Sequence, residues 1–305
     1  MRFLLMFPMR AVKHHERWLD GADLGDVARA VEEAGFDAVA MTEHPYPDGR
    51  WLAEGGHHSY DPFVSLSYMA AATTRLRLVT YVLVAAYRNP YLSAKAIASL
   101  DSVSRGRLTV GMAAGYLRSE FDVLGADFAN RGAILDETIE AMRAAWAGRD
   151  HVGARFPASG HSMVPAPVQP DGPPLWIGGN SRPARRRAVR VGAGWMPIAQ
   201  GPEMAAITGT PPLQTVEQLA EQVGEMQQVR RAAGAAPLDV SFVPFEKQSR
   251  HAGGAAEFAE EMRGLLGTYA EAGVTWMTIE PTSRSFADFR EDLAALSRGL
   301  LAPAR

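Results

Sequence analysis

The feature of this sequence that most restricts its fold is an alternation of short apolar runs and amphipathic segments, repeated eight times. The apolar runs are continuous, which is typical of parallel strands covered by helices and not of strands with one wet face. In the segments between them, apolar residues recur at helical spacing, as at Leu24, Val27, Ala28 and Val31 before the helix-terminating Gly35. The predicted strands are 3–7, 38–42, 76–84, 108–112, 175–177, 195–198, 240–244 and 274–279.

Eight such units predict a closed (β/α)8 barrel, and an open doubly wound sheet is the alternative architecture. A chain of 305 residues with 47% hydrophobic residues is long and apolar enough to build one barrel as a single domain over 1–305. The stretch at about 148–173 is rich in Gly and Pro and has no helical period. It is therefore predicted to be an insertion after the fourth helix, bordering the active-site mouth or a subunit contact.

Composition excludes several classes of function. The formal net charge is −3, which gives no electrostatic support for nucleic-acid binding. The chain has no cysteine, which excludes disulfides, thiolate metal sites and a cysteine nucleophile. No stretch approaches the roughly 18 apolar residues of a membrane helix, and the first residues do not form a secretory signal. We therefore expect a cytoplasmic protein without a membrane partner.

Catalytic groups of such barrels lie where the strands end, so the residues after each run are the candidates. His44 follows the second run and could transfer a proton or hydrogen-bond a heterocycle, or could merely pack at the strand end. Gly115 and Tyr116 follow the fourth run, where the ring could stack on a flat cofactor or only cover the strand. After the fifth run come Gly178, Gly179, Asn180 and Ser181, which could bind a phosphate at a helix N-terminus or form a tight turn with a helix cap.

Two other clusters suggest sites that we reject. A metal site is suggested by His57, His58 and Asp61. The side chains of the adjacent histidines His57 and His58 would diverge, however, so a loop lid is the better interpretation. No metal is predicted. A basic run after the fifth strand could bind nucleic acid, but we interpret it as the solvated face of an outer helix because the rest of the chain is slightly acidic. Arg182 in its first turn could still contact a phosphate. The run consists of Arg182, Arg185, Arg186, Arg187 and Arg190.

Taken together, several segments resemble the bacterial luciferase-like flavin and deazaflavin oxidoreductases. The similarity covers most of the chain and is loosest over 200–270. The segments that carry it are 36–44 (FDAVAMTEH), 96–121 with LDSVSRGRL and GYLRSEF, 131–132, 136–137, 174–181 (PLWIGGNS) and 194–197.

The resemblance implies a (β/α)8 barrel, usually a homodimer, that binds coenzyme F420 or FMN at the carboxyl ends of its strands. It places His44 beside the ring as the catalytic residue, and Thr80 where the third strand wraps around the ring, often with a backbone irregularity. Gly115 and Tyr116 would line the cofactor. Its phosphate would be held by Gly178, Gly179, Asn180 and Ser181.

Within this family, the segments 118–121 and 87–90 are more similar to the F420-using branch, and Ala114 stands where some flavin-using members carry arginine. The resemblance therefore favours an F420-dependent oxidoreductase that transfers hydride to or from a small organic substrate. The substrate pocket is expected between the 46–61 loop, the 148–173 insertion and the 200–212 segment. The alternatives are an FMN-dependent monooxygenase supplied by a partner reductase, and a non-catalytic flavin- or F420-binding protein.

Overall fold

The structure, a computed structural model, describes residues 1–247 and 251–301 of the chain. Its eight strands pair in parallel and in chain order, and the first strand also pairs with the last, so the sheet closes. The predicted (β/α)8 barrel is therefore confirmed. The strands are β1 (Arg2–Met6), β2 (Ala38–Met41), β3 (Arg77–Val84), β4 (Leu108–Ala113), β5 (Leu175–Gly178), β6 (Gly194–Met196), β7 (Asp239–Phe242) and β8 (Trp276–Ile279).

The sequence predicts helices over 24–34, 61–72, 90–103, 132–146, 215–233, 255–272 and 286–300, with a short helix near Arg118 and an Arg-rich helix ending at Val191. Each of these helices is present, and the ends agree within a residue or two except in the last. Four shorter helices were not predicted, because four to seven residues are too few to show a helical period; they are Met9–Val12, His15–Leu19, Gly49–Ala53 and Pro202–Thr208. The helices are α1 (Met9–Val12), α2 (His15–Leu19), α3 (Leu24–Ala34), α4 (Gly49–Ala53), α5 (Pro62–Ala72), α6 (Pro90–Val103), α7 (Arg118–Val123), α8 (Arg131–Trp146), α9 (Arg182–Val191), α10 (Pro202–Thr208), α11 (Val216–Ala232), α12 (Gly254–Glu271) and α13 (Phe286–Leu296). The last predicted helix is four residues shorter than expected and continues as a π-helical turn over Ser297–Leu301.

Capping side chains set where several helices begin. Asp23 and Asp26 form a reciprocal capping box at the start of α3. Asp61 and Asn89 each accept backbone N–H bonds just before a proline in the first helical turn, at α5 and α6. These local signals explain why the sequence defined the start of these helices so closely.

The amino-terminal half of the barrel interior is filled by two indole rings. Trp176 of β5 and Trp276 of β8 are buried, with ring centroids 5.3 Å apart, and they pack with Leu4 and Met196. Side chains of this size close the lower part of the barrel. Space for a ligand is consequently left at the carboxyl ends of the strands.

The stretch between α8 and β5 contains no helix or strand, only an isolated bridge between His151 and Ala158. It is fastened to the outside of the barrel by Asp101 of α6. This buried carboxylate accepts hydrogen bonds from the backbone N–H groups of Val168 at 2.8 Å and Gln169 at 3.0 Å. Across 1–247 and 251–301, no helix is both long enough and apolar enough to cross a membrane.

Candidate active site

A cavity of about 450 Å³ opens at the carboxyl ends of β2 to β6. It brings together six of the residues that the sequence singled out, although they come from three different strand ends. Its apolar wall includes Val82, Val84 and Met196. The predicted site residues in its lining are His44, Gly115, Tyr116, Gly178, Gly179 and Ser181.

Thr80 does not line this cavity. Its side chain is fully buried, and its hydroxyl donates to the carbonyl of Gly111 at 2.9 Å. The register between β3 and β4 shifts between Thr80 and Leu83. Tyr81 and Val82, which lie within this shift, line the cavity instead.

Asn180 is also absent from the lining. Its amide nitrogen donates to the carbonyls of Ile198 and Pro211, at 2.9 and 2.8 Å, and its amide oxygen accepts from the N–H of Ile198. These bonds use the side chain to fasten the connection after β6. Ser181 caps α9 by accepting from the N–H of Ala184, as the turn-and-cap interpretation expects.

His44 is paired with a buried carboxylate that sequence reasoning did not select. Its Nδ1 lies 3.0 Å from Oε2 of Glu120, whose side chain is completely buried. Glu120 also accepts from the N–H of Tyr46 at 3.1 Å and from the hydroxyl of Tyr87 at 3.2 Å. The sequence signal that could have found it is the spacing: Glu120 lies three residues after Leu117 and next to Phe121, and all three are buried where α7 begins.

Aromatic rings surround the His44 imidazole. Trp51 lies 4.5 Å and His57 4.9 Å away between ring centroids, and Tyr116 lies at 6.2 Å. Burial, together with the nearby Glu120 carboxylate, raises the pKa of Tyr116 to about 12. The phenol therefore stays protonated at neutral pH and can donate a hydrogen bond into the cavity.

The other end of the cavity is suited to an anion. Gly179 has a φ of +106°, a conformation that favours glycine, and precedes the N-terminus of α9. Arg131 and Arg187 line the same cavity. Two guanidinium groups and a helix N-terminus are suited to binding an anionic group.

The prediction that the arginines of α9 form a solvated face is wrong for Arg187. Arg182, Arg186 and Arg190 are exposed, but Arg187 is buried and lines the cavity. Helical periodicity places Arg187 on the same face as the buried Ala184 and Ala188. Arg187 forms two bonds to Asp136, at 2.9 and 2.8 Å, and thereby lowers the pKa of that carboxyl. Arg182 is absent from the lining.

Comparison with known proteins identifies the family. The sequence profile of the luciferase-like monooxygenases matches residues 1–244. The chain belongs to this family. The family comprises oxidoreductases and monooxygenases, so the resemblance found in the sequence is confirmed at the level of family.

Curated relatives of this luciferase-like protein include F420 enzymes. An F420-dependent glucose-6-phosphate dehydrogenase from Gordonia bronchialis is 34% identical over 188 residues, which cover 58% of this chain and 53% of the relative. An uncharacterized protein from Mycobacterium tuberculosis is 32% identical over 184 residues, covering 56% of this chain and 63% of the relative. The matches thus cover between about half and two thirds of the length of these relatives.

Solved structures with the same fold cover the whole chain at lower identity. A monooxygenase from Streptomyces bottropensis superposes with a TM-score of 0.79 at 23% identity, over 99% of both chains. An F420-dependent secondary alcohol dehydrogenase superposes with a TM-score of 0.75 at 16% identity, over 100% of both chains. At these identities the likeness extends to the fold alone.

This luciferase-like barrel has a second, smaller cavity of about 320 Å³ at the carboxyl ends of β1, β7 and β8. His57 lines both cavities. The 46–61 loop thus contributes to the mouth as predicted, and Thr208–Thr210 of the 200–212 segment line the larger cavity. The 148–173 stretch lines neither; it borders a separate groove against Tyr91 and Ala145, because Asp101 holds it on the outer helices.

His57 and His58 do not form a metal site with Asp61. In the part of the chain that the structure describes, no group of three or more His, Asp or Glu side chains is arranged to hold a metal ion. The His57 ring instead packs against His44 and Trp51. Burial, with His44 close by, lowers the pKa of His57 from 6.5 to about 4.

This depressed pKa predicts a pH-dependent stability. Between about pH 6.5 and 4 the unfolded chain binds a proton at His57 that the folded chain does not, so stability falls as the pH drops through this window. Going from pH 7 to 5, we expect the wild type to lose about 2 kcal/mol more unfolding free energy than His57→Gln. Urea unfolding at both pH values measures this. The exposed His161 provides the control; if His161→Ala changes the pH dependence as much as His57→Gln, the assignment is wrong.

Proposed function

We propose that this protein is an F420-dependent oxidoreductase that transfers hydride between the coenzyme and a small organic substrate. The observation that carries the proposal is that the His44–Glu120 pair and the diglycine turn of Gly178 and Gly179 open onto one cavity. A flat ring with a phosphate-bearing tail needs such an arrangement of an apolar wall and a positive end. The curated relatives named as F420-dependent dehydrogenases support the choice of coenzyme.

The residues present fit such a group. Gly178 faces Ala113 and Val82, and a Cβ at this position would lie 3.4 Å from both. The bare backbone therefore leaves space in the cavity floor that a side chain would fill. Arg131, Arg187 and the N-terminus of α9 would hold the phosphate, while Val82, Val84 and Met196 would contact the ring.

The coenzyme, when bound, supplies hydride chemistry, and the chain supplies position and a proton. The Glu120 carboxylate accepts from Nδ1 of His44, which leaves Nε2 as the atom that exchanges a proton with a ligand. The Tyr46 N–H and the Tyr87 hydroxyl hold Glu120 in place. Trp51 and Tyr116 shield the imidazole from water.

Binding measurements test the coenzyme. We expect F420 to bind the purified protein in an equilibrium titration followed by its absorbance near 400–420 nm, and FMN to bind more weakly. Ala114 lines the cavity with only a methyl group and offers no cation to a flavin. Arg187→Met should weaken F420 binding, whereas the exposed Arg182→Met should not. Tight binding of FMN without binding of F420 would favour the monooxygenase instead.

We also propose that the protein forms a homodimer. Helix α5 has no charged residue, yet it is on the surface, with Val64 71% and Tyr68 50% exposed. Leu92 on the adjacent α6 is 69% exposed. An apolar area spread over two neighbouring helices favours burial against a second copy of the chain.

Light scattering on a size-exclusion column tests this assembly. We expect a dimer for the wild type and a monomer for the double variant Val64→Glu, Leu92→Glu, because two like charges, which cannot pair with each other, would be buried at the interface. Val229 on α11 is 55% exposed on the far side of the barrel, so Val229→Glu serves as the control. A monomeric wild type, or a monomeric control, contradicts the proposed surface.

A further inference from the structure

The diglycine turn after β5 uses most of its polar backbone groups within the fold. The N–H of Gly179 donates to the carbonyl of Met196 at 3.0 Å, and the carbonyl of Gly179 accepts from Nε1 of Trp195 at 2.9 Å. The N–H of Asn180 donates to Oγ1 of Thr210 at 3.0 Å. Each N–H is a single donor, so two of the amides that the resemblance assigned to a phosphate are not available to a ligand.

The next residue along the turn, Ser181, keeps a backbone donor. Its side chain caps α9 by accepting from the N–H of Ala184, and the residue lines the larger cavity. In the part of the chain that the structure describes, no group accepts a hydrogen bond from the N–H of Ser181. This N–H lies just before a helix of ten residues, where the helix dipole favours an anion.

Thr210, in the connection between α10 and α11, brings a second donor to the same turn. Its Oγ1 accepts from Asn180, and a hydroxyl that accepts one bond still has its own proton to donate. Among residues 1–247 and 251–301, nothing accepts that proton. Thr210 lines the larger cavity. A Cβ built on Gly179 would lie 3.6 Å from Cβ of Ala184 and 3.9 Å from Oγ1 of Thr210, so a ligand atom placed over Gly179 lies beside the hydroxyl.

The position of Thr210 is fixed by the buried side chain of Gln200. Nε2 of Gln200 donates to the carbonyl of Thr210 at 2.8 Å, and the backbone of Gln200 pairs with Leu213 in an isolated bridge. These bonds hold Thr210 against the diglycine turn although α10, just before it, has no buried residue. A donor that is already held in place costs little conformational entropy when a ligand binds.

We propose that Thr210 is a further binding residue for the coenzyme, whose phosphate accepts hydrogen bonds from the Thr210 hydroxyl and from the N–H of Ser181. Gly179 contributes space for that group and not a donor. The ligand class is a phosphate ester, because ionised phosphate oxygens accept several hydrogen bonds and their charge strengthens each bond. The proposal rests on the proposed function, since it takes the larger cavity as the coenzyme site.

Paired ligands with and without the phosphate test the residue. FO is the deazaflavin that has the ring of F420 and lacks its phosphate-bearing tail, and riboflavin is related to FMN in the same way. In absorbance titrations, we expect Thr210→Val to weaken F420 binding about tenfold and FO binding less than twofold. Thr210→Ser keeps the hydroxyl and should bind F420 like the wild type. Thr268→Val, at an exposed position on α12, is the control and should change neither affinity.

Valine also removes the acceptor of the Asn180 N–H. A turn that only shifted for this reason would lower the affinities for FO and F420 in the same proportion. Such an equal loss, or an unchanged F420 affinity in Thr210→Val, would overturn the proposal. If the protein binds FMN and not F420, the proposed coenzyme is wrong, and the comparison of FMN with riboflavin then decides the role of Thr210.

Inorganic phosphate alone provides a measurement without any coenzyme. In ¹⁵N-labelled full-length protein, we expect phosphate to shift the amide resonance of Ser181 more than those of Gly179 and Asn180, whose N–H groups stay bonded within the fold. Thr210→Val should weaken this response. Larger shifts at Gly179 and Asn180, no shift at Ser181, or a response that Thr210→Val leaves unchanged would overturn the proposal, whichever coenzyme the protein binds.

Discussion

Replacing His44 by alanine is expected to lower kcat by about 10²- to 10⁴-fold while changing the F420 dissociation constant only a few-fold. Nε2 of His44 is the proton-exchanging atom in our proposal, and its partner Glu120 orients it through Nδ1 at 3.0 Å. The residues proposed to hold the coenzyme are elsewhere, Gly178 on β5, Gly179 in the turn after it and Arg187 on α9, so they stay intact. Turnover is measured with the best substrate from a panel of small alcohols and carbonyl compounds, and binding by absorbance titration.

His161→Ala is the matched control, because this histidine is exposed and borders the separate groove of the 148–173 stretch. It should retain wild-type turnover. Glu120→Gln should fall between the wild type and His44→Ala, since an amide oxygen can still accept from Nδ1 but without a negative charge. Unchanged turnover in His44→Ala would show that His44 is not a catalytic residue. Loss of F420 binding in the same proportion as turnover would make His44 a binding residue only.

Replacing Gly111 by alanine is expected to destabilise the barrel by on the order of 4 kcal/mol. Gly111 is in the middle of β4, and a Cβ there would lie 2.2 Å from the backbone oxygen of Thr80 and 2.7 Å from Sδ of Met196. The Thr80 oxygen is a backbone atom of the neighbouring strand, so it cannot rotate away as a side chain could. The β3–β4 pair would have to separate at the register shift beside the cavity. Urea unfolding measures the loss.

Gly264 in α12 is the control for this substitution, since nothing lies within 4 Å of a Cβ built there. Gly264→Ala is expected to stabilise the protein by about 0.5–1 kcal/mol, the ordinary gain from replacing glycine within a helix. A similar, small effect at both positions would show that the β3–β4 contact can relax and that Gly111 is not required for the close approach of these strands.

Several parts of the architecture follow from the sequence. Continuous apolar runs separated by segments with helical period indicated eight parallel strands, and capping residues such as Asp61 and Asn89 defined where helices begin. The barrel also placed His44 and the diglycine turn at the same edge, because carboxyl ends of its strands meet there. These features depend on local propensity and on period, which single-sequence analysis can read.

The partners of the site residues could not be predicted in the same way. Thr80 was placed at the ring, but a register shift within β3 turns it to Gly111 and exposes Tyr81 and Val82 instead. Asn180 satisfies the backbone around Ile198 and Pro211. Such bonds join segments that are distant along the chain, so the spacing of residues within either segment does not predict them.

The eight strand–helix units and the strand end that carries His44 were predicted from the sequence alone, since periodicity and capping are properties of neighbouring residues. Closure of the sheet, predicted over an open arrangement, was decided by the pairing of β1 with β8. Only the tertiary structure decided that Glu120 is the partner of His44, that Arg187 faces the cavity and that His57 separates two cavities. Each of these depends on the distance between side chains from different elements. The closing of the barrel sets those distances, and local sequence does not.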